Sequence, residues 1–256
     1  MTGAGRFRPT VAEVSLVALT SFASVALRTM PRAARLPAGL AVAGTAIGVA
    51  RRHDATWTEL GVHPDDAASG VRWGAGAGAA IATAIGVATR WPSVRDRFAD
   101  ERIASHSPAR ATYEFVARIP IETALSEELL FRAALLGIGL HGRTSPRALA
   151  VSSALFGLWH VPPTWMDLSG SAVGAAAGEG PGARAGAVAG VVAATGAAGA
   201  LFGLLRLRSG SVLAPVVAHA TLNMASFAVA RSAAPANGTT VEQPPSTSHD
   251  MEDAGR

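Results

Sequence analysis

Ile121–Gly137 reads IETALSEELLFRAALLG, an apolar helical run that nevertheless carries Glu127, Glu128 and Arg132. One ionised side chain at a bilayer centre costs roughly 2.5–3.5 kcal/mol on insertion scales. Three on one helix are sustained when they are paired, turned toward protein or water, and used. Glu128 and Arg132 stand i,i+4 and share a face. Glu127 lies about 100° round the helix from Glu128 and points toward other helices. Two later apolar segments hold possible partners: FGLWH, ending at His160, and HATLN, from His219 to Asn223. His219 and Asn223 are again i,i+4. We read the three segments as meeting in one polar site.

Only 16% of the 256 residues are charged and 49% are apolar, with a mean hydropathy of +0.30; soluble domains carry about 25% charged residues. Together with long Ala/Val/Leu/Gly runs, this predicts an all-α polytopic transmembrane helical bundle of about seven (six to eight) spans. We expect a short N-terminal segment at 1–10, one transmembrane domain at 11–231 with its motif core at 111–231, and a tail at 232–256. The tail's Pro/Ser/Thr/acid-rich composition predicts disorder. All 22 basic residues are Arg, so neither a Schiff-base lysine nor a Ser–Lys dyad is available. The arginines flank the apolar runs, where they anchor helix ends and meet anionic lipid; a pI near 11 is therefore no sign of nucleic acid. The absence of Cys removes disulfides, thiol nucleophiles and thiolate metal sites.

Apolar runs predict spans at residues 11–27, 38–50, 71–89, 111–140, 147–160, 185–205 and 211–229. Residues 165–177 read as a short span or a re-entrant piece. The run at 11–27 is expected to be retained, because no small-residue cleavage site follows Arg6 and Arg8. Arg28, Arg32 and Arg35, with Pro31 and Pro37, mark a basic loop that positive-inside counting places in the cytoplasm, against the pull of Arg6 and Arg8. Gly74, Gly76 and Gly78 predict close helix approach, and Pro120 a kink one turn before the acidic pair. Gly170, Gly174, Gly178, Gly182, Gly186 and Gly190 recur every fourth residue, a spacing that compositional drift explains better than a packing seam.

A carboxylate in apolar surroundings holds its proton more tightly, which suits it to act as a general base for water near neutral pH. An amide such as that of Asn223 donates to a developing oxyanion, and an imidazole orients water or protonates a leaving amine. Two carboxylates, two imidazoles, a guanidinium and an amide gathered from three apolar helices make a hydrolytic site. The blander alternative is a buried ion-pair network that only fixes packing. It weighs most on Glu128 and Arg132, and least on Glu127, which has no local partner. Histidine and glutamate also ligate Zn²⁺, so a metal held by Glu127, His160 and His219 stays open; no other cofactor is indicated.

These segments match a known pattern. EELLFR (Glu127–Arg132) resembles the EExxxR motif of the CAAX-protease and bacteriocin-processing (CPBP) intramembrane proteases, FGLWH their FxxxH motif and HATLN their HxxxN motif. Order and spacing agree over roughly residues 57–229. The family includes the type II CAAX prenyl endopeptidases, which trim three residues from prenylated C-termini. The resemblance implies that Glu127 and His160 activate water, that Glu128 and Arg132 support and orient that pair, and that His219 and Asn223 form the oxyanion side. It implies a glutamate mechanism rather than a metal, and a membrane-associated protein or peptide as substrate. In a chain of bacterial composition, a pheromone or bacteriocin precursor suits better than a prenylated protein, and the expected location is a bacterial plasma membrane. Ala133 departs from the Gly that often follows the Arg.

The rivals are a non-proteolytic membrane scaffold or bacteriocin self-immunity protein, and a transporter with a proton relay; no inverted repeat supports the latter. Gly137, Gly139 and Gly142 spell GxGxxG but end an apolar helix instead of following a strand, which argues against a nucleotide fingerprint. HExxH, GxSG and GxGD are absent. His53, His63, His106, His141 and His249 fall outside the spans and are expected to be solvated.

Overall fold

A computed structural model describes residues 11–141, 145–168, 172–178 and 180–233. The expected N-terminal segment 1–10, the tail from 234 to 256, and Gly142, Gly170 and His249 lie outside the described residues. Seven main helices follow in order: α1 (Val11–Thr29), α2 (Arg32–Arg52), α3 (Ala67–Ala88), α4 (a helical run over residues 108–140), α5 (Ser145–Trp159), α6 (Pro181–Ser209) and α7 (Leu213–Ala233). Short helices and turns join them, and no strand occurs among the described residues. The all-α class agrees with the sequence pattern.

Among the described residues, five stretches are long and apolar enough to cross a membrane: α1, α2, Trp57–Ala88, α6 and α7. This is fewer than the expected seven, and the two left out are the helices of the first two motifs. α4 carries Glu114, Arg118, Glu122, Glu127, Glu128 and Arg132, too many charges for a plain lipid-facing span. α5 has 15 residues, about 22 Å of helix against a hydrocarbon core of about 30 Å. Polar function and apolar length compete for the same residues, so an apolarity count misses the helices that carry the motifs.

α4 begins at Pro108, where the Ser107 hydroxyl accepts a hydrogen bond from the Arg110 N–H (3.3 Å). Its backbone is π-wound over Glu114–Leu125 and again over Leu129–Leu135, with one α turn, Ser126–Glu128, between. The acidic pair sits on that turn. π-winding re-aims side chains and concentrates at functional positions. Pro120 falls inside the first π stretch.

Other boundaries moved for identifiable reasons. Pro37 lies within α2, not in the loop. Pro181 opens α6, and Pro162 lies in the first turn of Val161–Asp167, positions where a missing N–H costs nothing. The region 165–177 falls on two short helices, Val161–Asp167 and Ala172–Ala177, neither long enough to span by itself.

The tightest seam joins α3 to α7. A Cβ on Gly74 would stand 2.8 Å from the Ala214 carbonyl oxygen, and one on Gly78 would stand 2.8 Å from Thr221 Oγ1. Gly70 faces Ser211 in the same way. Gly76, expected to join them, has nothing within 4 Å; the working register is Gly70, Gly74 and Gly78, one face at a spacing of four. Gly178, Gly182, Gly186 and Gly190 also meet nothing, so they form no seam. Leu16, Ala46, Leu60, Leu130, Phe131 and Phe156 are buried in a core shared by α1, α2, the short helix Trp57–Leu60, α4 and α5.

The bundle has two polar ends. At one, Arg28 pairs with Asp167, Arg231 donates to the His106 carbonyl (2.9 Å) and Arg95 to that of Ser232 (2.8 Å). At the other, the buried Arg206 donates to the carbonyls of Thr58 (2.9 Å) and Glu59 (2.8 Å), while His141 meets Glu59 (3.0 Å). His141 is exposed, as expected, whereas the His106 imidazole is partly buried with Nε2 3.7 Å from Glu114.

Candidate active site

Glu128 and Arg132 are both fully buried on α4. Arg132 Nη1 donates to Glu128 Oε1 (3.3 Å), and Nε stands 3.2 Å from Oε2, an ion-pair contact off the hydrogen-bond direction. From α7, His219 Nδ1 reaches Glu128 Oε1 at 2.9 Å. An ionised carboxylate accepts only, so Nδ1 carries the proton there and Nε2 faces away from Glu128. Burying this network separates three polar groups from water, and each is compensated mainly by the others.

An aromatic cage surrounds the charge. The Arg132 guanidinium lies 4.1 Å from the Phe156 ring centre and 5.6 Å from that of Phe202. Phe202 stacks on His219 at 4.9 Å, while Phe156 meets both His160 (4.9 Å) and His219 (5.9 Å) edge-on. Phe156 is therefore where the three motif segments touch. Gly199 of α6 leaves the room this needs: a Cβ there would stand 2.9 Å from Arg132 Nη2 and 3.1 Å from Phe156.

Glu127 is placed differently. It is half-buried, its Oε1 accepts from the Trp159 indole N–H (3.2 Å), and its Oε2 is shielded from solvent without a hydrogen-bond partner. A buried, unpaired carboxylate oxygen is costly unless a substrate or water uses it. His160, one residue beyond Trp159 and also half-buried, holds Nδ1 at 2.8 Å from the Phe156 carbonyl. The carbonyl can only accept, so Nδ1 is protonated and Nε2 is the free nitrogen. Glu127 and His160 share no hydrogen bond.

Asn223, one turn beyond His219, borders a cavity of about 340 Å³ that Arg118, Thr123 and Ser226 also line. It makes no hydrogen bond to the acidic pair. Nor do Glu127, His160 and His219 assemble as metal ligands: among the described residues no three His, Asp or Glu side chains come together to hold an ion. The donor set does not fit a zinc centre in this arrangement.

Sequence reading singled out the charged and imidazole groups but passed over Trp159, Phe156, Phe202 and Gly199. The first two lie inside FGLWH, where the indole N–H was a readable donor. Phe202 and Gly199 sit in a Gly/Ala-rich helix that carries no motif.

Residues 111–225 match the family model for the Rce1-like proteins, described as type II CAAX prenyl endopeptidase Rce1-like. The matched segment opens in the first turn of α4 and closes just beyond Asn223, so it contains all three motifs. The motif-bearing part of the chain is therefore similar to the type II CAAX prenyl endopeptidases of the Rce1-like family, in agreement with the resemblance seen in the sequence. With five stretches among the described residues long and apolar enough to cross a membrane, the protein is a multi-pass integral membrane protein. No curated protein and no solved structure matches the chain significantly.

Proposed function

We propose that the protein is an intramembrane endopeptidase of glutamate type, acting in a bacterial plasma membrane. Its substrate is a peptide bond near the C-terminus, or in the membrane-embedded part, of a membrane-associated protein or peptide. The observation that carries this reading is the contrast within the acidic pair: both Oε2 atoms lack a hydrogen bond, but Glu128 stands against Arg132 and His219, whereas Glu127 meets only the Trp159 indole and keeps a shielded oxygen with no cation paired to it. A network serving packing alone has no use for that oxygen.

In this mechanism Glu127 Oε2 takes a proton from water, and the hydroxide adds to the scissile carbonyl. His160 Nε2 helps hold the water. His219, fixed by Glu128, and Asn223 line the side on which the oxyanion develops. The proton is passed to the scissile nitrogen, the C–N bond breaks, and a carboxylic acid and an amine leave. Trp159 orients Glu127, and Arg132 holds Glu128 in place.

Glu127→Gln tests this, because an amide oxygen can still accept from Trp159 but cannot act as a base. Membranes from cells expressing equal amounts of wild type and variant are compared by mapping peptide termini. We expect precursor cleavage to fall by about 10²–10⁴-fold, the usual contribution of general-base catalysis, with the variant folded normally. Identical termini, with the variant folded and present, would overturn the reading.

A further inference from the structure

We infer that the arginine-lined cleft beside the α1–α2 turn is a binding site for the phosphate headgroup of an anionic phospholipid. The cleft encloses about 460 Å³, and Arg28, Arg32, Arg35, Arg102, Arg110 and Arg118 line it together with His106. The lining holds only three carboxylates, Glu114, Glu122 and Asp167. Their use is largely internal: Arg28 pairs with Asp167, while Arg110 and Arg118 both pair with Glu114. Asp100, just outside the lining, takes Arg102 at 2.8 Å, and this hydrogen bond holds its carboxyl below the usual carboxylate range. Arg35 gives two N–H groups to the carbonyls of Met30 (3.1 Å) and Arg28 (3.0 Å) and makes no ion pair among the described residues. Arg32 makes no ion pair among the described residues. Even with Asp100 counted, two guanidinium charges are left over in a concave site.

Planar guanidinium groups bind phosphate oxygens in pairs, with more geometric selectivity than an ammonium. The depth of the cleft selects lipid over a soluble anion. It sits where α1 ends and α2 begins, both membrane-crossing helices, which is headgroup level. Apolar groups stand exposed around that level: Met166 on the cleft wall, Trp165 beside it, and Phe22 and Val25 on the last two turns of α1. Exposed Trp at a helix end marks the membrane interface. A phospholipid satisfies both features, with its phosphate among the arginines and its chains against the apolar surface. This reading stands independently of the proteolytic one.

The test uses the full-length protein in phosphatidylcholine nanodiscs, with and without phosphatidylglycerol, followed by native mass spectrometry and thermal unfolding. We expect one retained phosphatidylglycerol per chain and a raised Tm. Arg32→Ala, which removes no internal partner, should weaken retention about tenfold, and Arg32→Glu should abolish it. Arg52→Ala, an equal loss of charge at the opposite end, should leave retention unchanged. Equal retention of phosphatidylcholine, or equal losses in the Arg32 and Arg52 variants, would overturn the inference. So would an equal Tm rise from inorganic phosphate alone, which would make this a small-anion site. Displacement of the lipid by a peptide acid, but not by the matching peptide amide, would reassign the cleft to a peptide C-terminus and also overturn it.

Discussion

α7 presents two faces that solve opposite packing problems. On one, His219 joins Glu128 and Arg132 in a buried polar network ringed by Phe156 and Phe202. On the other, Ala214, Val217 and Thr221 close against Gly74 and Gly78 of α3, with no ion pair. The polar face draws its order from directed partners and would be costly to leave half-made. The apolar face draws it from van der Waals fit, which in a bilayer is the principal means of holding helices together. A helix can carry an expensive polar site on one side because the other side fixes its position tightly.

The two faces differ most in what removing one group should do. Arg132→Ala leaves Glu128 buried with only His219 beside it. We expect a loss of about 3–5 kcal/mol, the usual cost of breaking a buried pair from one side, read by thermal or denaturant unfolding in micelles. On the other face, Gly74→Ala drives a Cβ onto the Ala214 backbone, which cannot rotate away. A loss of about 1–3 kcal/mol follows from overpacking, with activity falling in step with stability. Gly76→Ala, two residues away and open to the membrane, should be neutral or up to about 1 kcal/mol stabilising, since Ala forms helix better than Gly. A cost at Gly76 equal to that at Gly74 would dissolve the seam. Stability in Glu127→Gln close to wild type, beside a large loss in Arg132→Ala, would sharpen the division between the acid that reacts and the acid that holds.

Much of this was legible in the chain. The helical class follows from composition and run length. The three polar segments stand out because charge is scarce around them, and the i,i+4 pairing of Glu128 with Arg132 follows from helix geometry alone. The number of membrane-crossing helices was less legible, because α4 and α5 give up apolarity and length to the site. Of the three glycines expected to let helices approach, Gly74 and Gly78 do and Gly76 does not: composition points to all three, but only a helix face decides which glycines touch.

What the sequence by itself determined is therefore local: which residues are helical, which are polar, and which lie one turn apart. Only the tertiary structure decided that Glu127 meets Trp159, 32 residues away, and that Glu128 meets His219, 91 residues away. It alone set Phe202 over His219 and left Gly199 as the space for a guanidinium. The reason is physical. Turn-to-turn spacing is fixed by the backbone, whereas partners on different helices are chosen by how all the side chains pack together.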